Sequence, residues 1–81
     1  MSRQESRHVE TTYSRRLREA LEERGLTPEA FARDYGVSLR QAQRWTAGHA
    51  RPSLDNELGI ANYFGKPRSW FYEDPLEAVA S

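Results

Sequence analysis

The chain contains no cysteine, which excludes disulfides and thiolate-rich metal sites and leaves packing alone to hold a fold. No apolar run approaches the roughly 20 residues needed to span a bilayer, and the opening MSRQESRHVE lacks the apolar stretch of a secretory signal. A cytoplasmic protein is the expectation. No segment alternates apolar and polar residues over more than about four positions, so no sheet is expected. Net charge is missing as well: 12 Lys plus Arg balance 12 Asp plus Glu. The overall balance therefore gives no support to a polyanionic partner.

Catalytic constellations are equally scarce. The two histidines stand at positions 8 and 49, and neither a Gly-rich phosphate loop nor an HExxH motif occurs. The carboxylate neighbours Glu22/Glu23 and Glu73/Asp74 diverge on a helix and read as solvent-facing. No enzyme is expected, and no metal or cofactor.

What is present is 81 residues with an apolar share of 37%, the length and composition of one small domain. We read an all-α domain over residues 12–74, between a flexible polar arm at 1–11 and a short tail at 75–81. The arm carries Arg3, Arg7 and His8. It is either a solvated tail or a basic arm that touches phosphate or enters a minor groove.

From Thr12 the pattern turns helical. Tyr13, Leu17 and Leu21 recur every four residues with Ala20 beside them, Thr11 or Thr12 can cap the start, and Gly25 ends the helix. Arg15/Glu19 and Arg18/Glu22 lie at i,i+4 on the face expected to be wet. Thr27-Pro28-Glu29 then starts a second helix: the Thr hydroxyl accepts from an orphan N–H, Pro loses a donor that had no partner, and Glu29 meets the positive helix end. Leu26 and Phe31 occupy the two positions of a hydrophobic staple. This helix runs to about Tyr35 and buries Phe31, Ala32 and Tyr35, with Ala32 small enough for the next helix to cross closely.

After Gly36 the residue Val37 drops into the core, and Ser38 opens a third helix with Gln41 at the reciprocal position of a capping box. Ala42 and Trp45 face inward at i,i+3. Leu39, Arg40, Gln43 and Arg44 must therefore point out. Gly48 closes this helix, HARPS forms a loop, and Ser53 starts a fourth helix whose expected apolar face is Leu54, Leu58, Ala61 and Phe64, with Asp55 and Glu57 placed early where acids are favoured. Gly59 inside it costs about 1 kcal/mol relative to Ala. Pro67 can open a final short helix holding Trp70, Phe71 and Tyr72, three consecutive aromatics that cannot all face one core.

Charge is local even though its sum is zero. No acid occurs between Asp34 and Asp55, while Arg40, Arg44, His49 and Arg51 all fall in that window. Arg matches the paired acceptors of guanine and Gln the donor and acceptor of adenine, each two-pronged contact giving roughly 1–3 kcal/mol of discrimination, and a Leu tip suits a thymine methyl. The row Leu39, Arg40, Gln41, Gln43 and Arg44, on the second helix after a tight turn, is what a major-groove reader of double-stranded DNA needs. Phosphate contacts are expected at Thr27, Ser38 and Ser53, where helix N-termini offer N–H groups, and at His49 and Arg51.

LTPEAFARDYGVSLRQAQRWTAGHARPS resembles the helix-turn-helix of the Cro and phage-repressor type, the XRE family: Ala32, Gly36, Val37, Ser38, Trp45, Gly48, Pro52 and Ser53 fall at the family's spacing. NYFGKPRSWFYED is similar to the junction between the fourth and fifth helices of its bacterial members. The resemblance covers about Tyr13 to Asp74. It implies a five-helix lambda-repressor-like domain, a transcriptional regulator with repression favoured, base contacts at Leu39, Arg40, Gln43 and Arg44, and a nucleoid-associated location. It also implies a homodimer on two half-sites, with Trp70, Phe71 and Tyr72 as candidates for its surface; these aromatics otherwise close the core over the fourth helix. Three positions depart from the pattern. Pro28 stands where the family often has a phosphate-touching Gln, and Leu21 and Thr46 stand where many members pair an Arg with a Glu. The neutral charge further predicts weak nonspecific binding. The competing reading is an interaction module that keeps the fold but binds a protein, such as an antitoxin-like or anti-repressor component.

Overall fold

The computed structural model describes residues 11–73. Of the arm expected at 1–11 only Thr11 is among them, and the tail expected at 75–81 lies outside them. Four α-helices follow in order: α1 (Thr12–Arg24), α2 (Pro28–Tyr35), α3 (Leu39–Ala47) and α4 (Leu54–Phe64), then a 3-10 helix at Arg68–Tyr72. Among the described residues no strand forms.

The helix starts follow from local chemistry. Thr11 caps α1 in a reciprocal box, its hydroxyl accepting from the Ser14 N–H at 3.0 Å while its own N–H donates to the Ser14 hydroxyl at 3.0 Å. Thr27, Ser38 and Ser53 cap α2, α3 and α4 by accepting from Ala30, Gln41 and Asn56 at 3.1, 3.0 and 3.3 Å. At Ser38 the forward bond is made and the return bond from Gln41 is not. Gly36 shows why the tight turn needs its residue: at φ 100° it carries the chain through left-handed space between α2 and α3, where any Cβ would be strained.

One core joins the helices. Tyr13, Leu17, Ala20 and Leu21 from α1, Phe31 and Ala32 from α2, Ala42 and Trp45 from α3, Ile60, Ala61 and Phe64 from α4, and Phe71 are all buried. Leu26, Tyr35 and Val37 pack against this cluster partly buried, so Val37 turns inward as expected and Leu26 joins the core that holds Phe31.

Two expectations need correction. The fifth element is a 3-10 helix, closed by i to i+3 bonds such as Trp70 N–H to the Pro67 carbonyl at 2.9 Å and Glu73 N–H to the Trp70 carbonyl at 3.3 Å. Three residues per turn set neighbours about 120° apart, which sends the three aromatics three ways: Trp70 against Arg16, Phe71 into the core, Tyr72 toward Glu57. The second correction is the register of α4. Leu54 and Leu58 are 58% and 51% exposed, and the inward stripe is Glu57, Ile60, Ala61 and Phe64. Glu57 enters because its charge is met there: Arg68 Nε donates to it at 2.7 Å and the Tyr72 hydroxyl donates to its other oxygen. Gly59 has a reason too. A Cβ at that position would stand 2.5 Å from the Tyr35 hydroxyl.

Candidate nucleic-acid interface

Helix α3 is held from behind. Ala42 and Trp45 are buried at 0% and 1% exposure, and the Gly36 turn sets α3 against α2 with the Val37 N–H donating to the Ala32 carbonyl at 3.0 Å. The far end is held by α1, where the Arg18 guanidinium donates to the Thr46 carbonyl at 2.7 Å. This contact joins α1 to the end of α3 where Leu21 and Thr46 leave no charge pair. Leu21 lies in the core, and α1 reaches the end of α3 through Arg18 to a backbone oxygen, which needs no acid at position 46.

With its inner face fixed, α3 has no choice about its outer one. Leu39, Arg40, Gln43 and Arg44 are exposed; at 100° per residue they share an arc of about 140°, and from first to last they advance about 7.5 Å along the axis. That reach is about two base-pair steps. Neither guanidinium of Arg40 and Arg44 bonds to another described residue, so their donors are available. Gln41 is half-buried and lies at the margin of this arc, where the expectation put it in the row.

The residues expected to contact phosphate stand at or beside element ends. Thr27, Ser38, His49, Arg51 and Ser53 are all exposed. The loop that carries His49 and Arg51 is fixed at its root, with the His49 and Ala50 N–H groups donating to the Arg44 carbonyl at 3.0 and 3.3 Å. At α2 the anion site is thinner than at α3 and α4, because Pro28 has no N–H and Glu29 adds negative charge beside it.

Of the aromatics expected at a dimer surface, Phe71 is fully buried within the chain and has no area to offer a partner. Trp70 is half-buried, with the Arg16 guanidinium 3.7 Å and the Lys66 ammonium 4.3 Å from its ring centre. Tyr72 is 37% exposed, and burial followed by its bond to Glu57 raises its hydroxyl above the usual tyrosine pKa. What sequence reasoning passed over is Arg16, which donates through Nε to the Trp70 carbonyl at 2.9 Å, and the contacts that join Glu57 to Arg68 and Tyr72. Polar residues spaced 11 and 15 apart give no periodic signal.

Among the described residues no group of His, Cys, Asp and Glu is arranged to hold a metal ion, and no helix is long and apolar enough to cross a membrane. No curated protein and no solved structure matches the chain. A helix-turn-helix family model matches residues 17–71, more than half of the sequence, from within α1 into the 3-10 helix. This is a family of DNA-binding domains and not of enzymes. The chain belongs to the Cro/C1-type, or XRE, helix-turn-helix family.

Proposed function

We propose that this protein is a sequence-specific regulator of transcription, a repressor, that reads the major groove of duplex DNA with α3 as a homodimer at the nucleoid. The observation that carries this reading is the exposed ridge of Leu39, Arg40, Gln43 and Arg44, whose guanidinium groups are uncommitted while the helix beneath them is packed rigidly. An α-helix with its side chains is about 10–12 Å across, which a major groove about 12 Å wide admits. Base contacts are assigned to Leu39, Arg40, Gln43 and Arg44, with Gln41 at the edge of the set. Phosphate contacts are assigned to Thr27, Ser38, His49, Arg51 and Ser53.

So few base pairs per module call for two half-sites about 34–36 Å apart, hence a second copy. The exposed pair Leu54 and Leu58, one turn apart on α4, supports a self-complementary apolar contact.

The neutral total charge favours the rival reading, in which the ridge binds a protein. Salt separates the two. A reader that neutralises several phosphates loses affinity as a power of salt concentration, with a slope of about −0.9 per contact. Fluorescence anisotropy on a selected duplex between 50 and 200 mM salt, roughly the range over which such slopes are read, is expected to give at least a hundredfold loss. A flat response would favour the protein-binding module.

A further inference from the structure

Arg51 stands in the loop between α3 and α4, where a long exposed side chain has many rotamers and few constraints. Here it is not unconstrained. Its Cζ lies 5.5 Å from the centre of the Tyr72 ring, and the Arg68 Cζ lies 5.6 Å from the same ring. The ring itself is pinned. Its hydroxyl donates to Glu57, which is 4% exposed and accepts from Arg68 Nε through its other oxygen at 2.7 Å. Tyr13 sits against it with ring centres 5.5 Å apart. A buried carboxylate thus fixes a ring, and a face of that ring attracts a guanidinium that remains exposed on its outer side.

We propose that Tyr72 is a positioning residue for DNA binding: it holds Arg51 in place for a backbone phosphate without touching DNA itself. This rests on the DNA reading above. The consequence is that the carboxyl-terminal 3-10 helix sets the affinity of the recognition unit. Base choice should be untouched, because the contact is to phosphate. A cation over a ring at an exposed site corresponds to about a two- to fivefold effect.

The test is anisotropy of the full chain on a selected duplex and on a scrambled one, with Tyr72→Leu, Tyr72→Phe, Arg51→Ala and the pair Arg51→Ala/Tyr72→Leu. Tyr72→Leu is expected to weaken binding to both duplexes about two- to fivefold. Tyr72→Phe, which keeps the ring face but gives up the bond to Glu57 that fixes it, is expected to fall between the parent and Tyr72→Leu. In the Arg51→Ala background, Tyr72→Leu is expected to add nothing. A purely structural role for Tyr72 predicts otherwise on both counts: Phe as harmful as Leu, and losses that simply add. Either result overturns the proposal, as does an unchanged affinity in Tyr72→Leu. If Tyr72→Leu does not fold, Arg51→Lys decides, since it keeps the charge at an exposed position and weakens the cation's hold on the ring. A twofold or greater loss then supports the proposal and parental affinity overturns it. Should the parent chain bind neither duplex, the DNA reading fails and this inference with it. Parental binding that ignores Tyr72 and Arg51→Lys removes the inference alone.

Discussion

Gly59→Ala should destabilise this protein although it replaces the poorer helix former with the best one. In an open helix the change would gain about 1 kcal/mol. Here the new Cβ would stand 2.5 Å from the Tyr35 hydroxyl, against the 3.4 Å at which ordinary contact begins. The phenol must therefore move by nearly an ångström. It has little room to do so, because it stacks on Phe31 with ring centres 5.3 Å apart, meets Tyr63 edge-on at 5.9 Å, and donates toward the Asn56 carbonyl and side-chain oxygens at 3.3 and 3.1 Å. Overpacking of this kind costs about 1–3 kcal/mol, and a lost hydrogen bond about 1 kcal/mol. The net expectation is a loss of about 1–3 kcal/mol, or roughly 4–24 °C in Tm for a domain of this size. Tyr35→Phe removes the offending atom and leaves Cζ at 3.4 Å from the added methyl. In that background Gly59→Ala should become neutral or stabilising, so a thermal-melt double-mutant cycle should give a coupling of about 1–3 kcal/mol. A rise in Tm for Gly59→Ala alone, or strictly additive changes, would refute the reasoning.

Tyr13→Phe should stabilise the fold by about 1 kcal/mol in a denaturant titration, because the Tyr13 hydroxyl is buried without a hydrogen-bond partner and the ring it belongs to is retained. High pH should unfold the parent. Burial raises the hydroxyls of Tyr13, Tyr35 and Tyr72, and a hydrogen bond to Asp34 followed by burial raises that of Tyr63. The unfolded chain therefore releases protons that the folded chain keeps, so the stability is whole below about pH 10 and drains away as pH climbs through the raised folded values. Stability measured against pH should fall there, and less steeply in Tyr13→Phe by about one proton's worth, about 1.4 kcal/mol per pH unit. Leu58→Glu, at an exposed position, should leave the melting temperature within about 2 °C and shift sedimentation equilibrium toward monomer.

Helix limits and the outward ridge of α3 were legible because they depend on neighbours in sequence. A hydroxyl at the N-cap, a proline after it and a glycine at the end act within four residues, and Ala42 and Trp45 decide which way Arg40 and Arg44 face. Features set by distant partners were not. Glu57 reads as a surface acid near a helix start, and its burial depends on Arg68 and Tyr72 from another element. Once Glu57 turns inward, Leu54 and Leu58 are carried to the surface. Arg16 is buried by a carbonyl 54 residues away, and the α1 pattern offers no hint of it. Arg18 reads as half of a surface pair with Glu22, and its bond to the Thr46 carbonyl depends on where α3 lies.

The central claim is that the side chains projecting from α3 meet base edges. Selection from random duplex DNA, run with the parent and with Arg40→Ala and Arg44→Ala, tests it most directly. The account predicts a defined half-site for the parent and, for each variant, lost preference at its own base position at about 1–3 kcal/mol of discrimination. An unchanged half-site in both variants would contradict it.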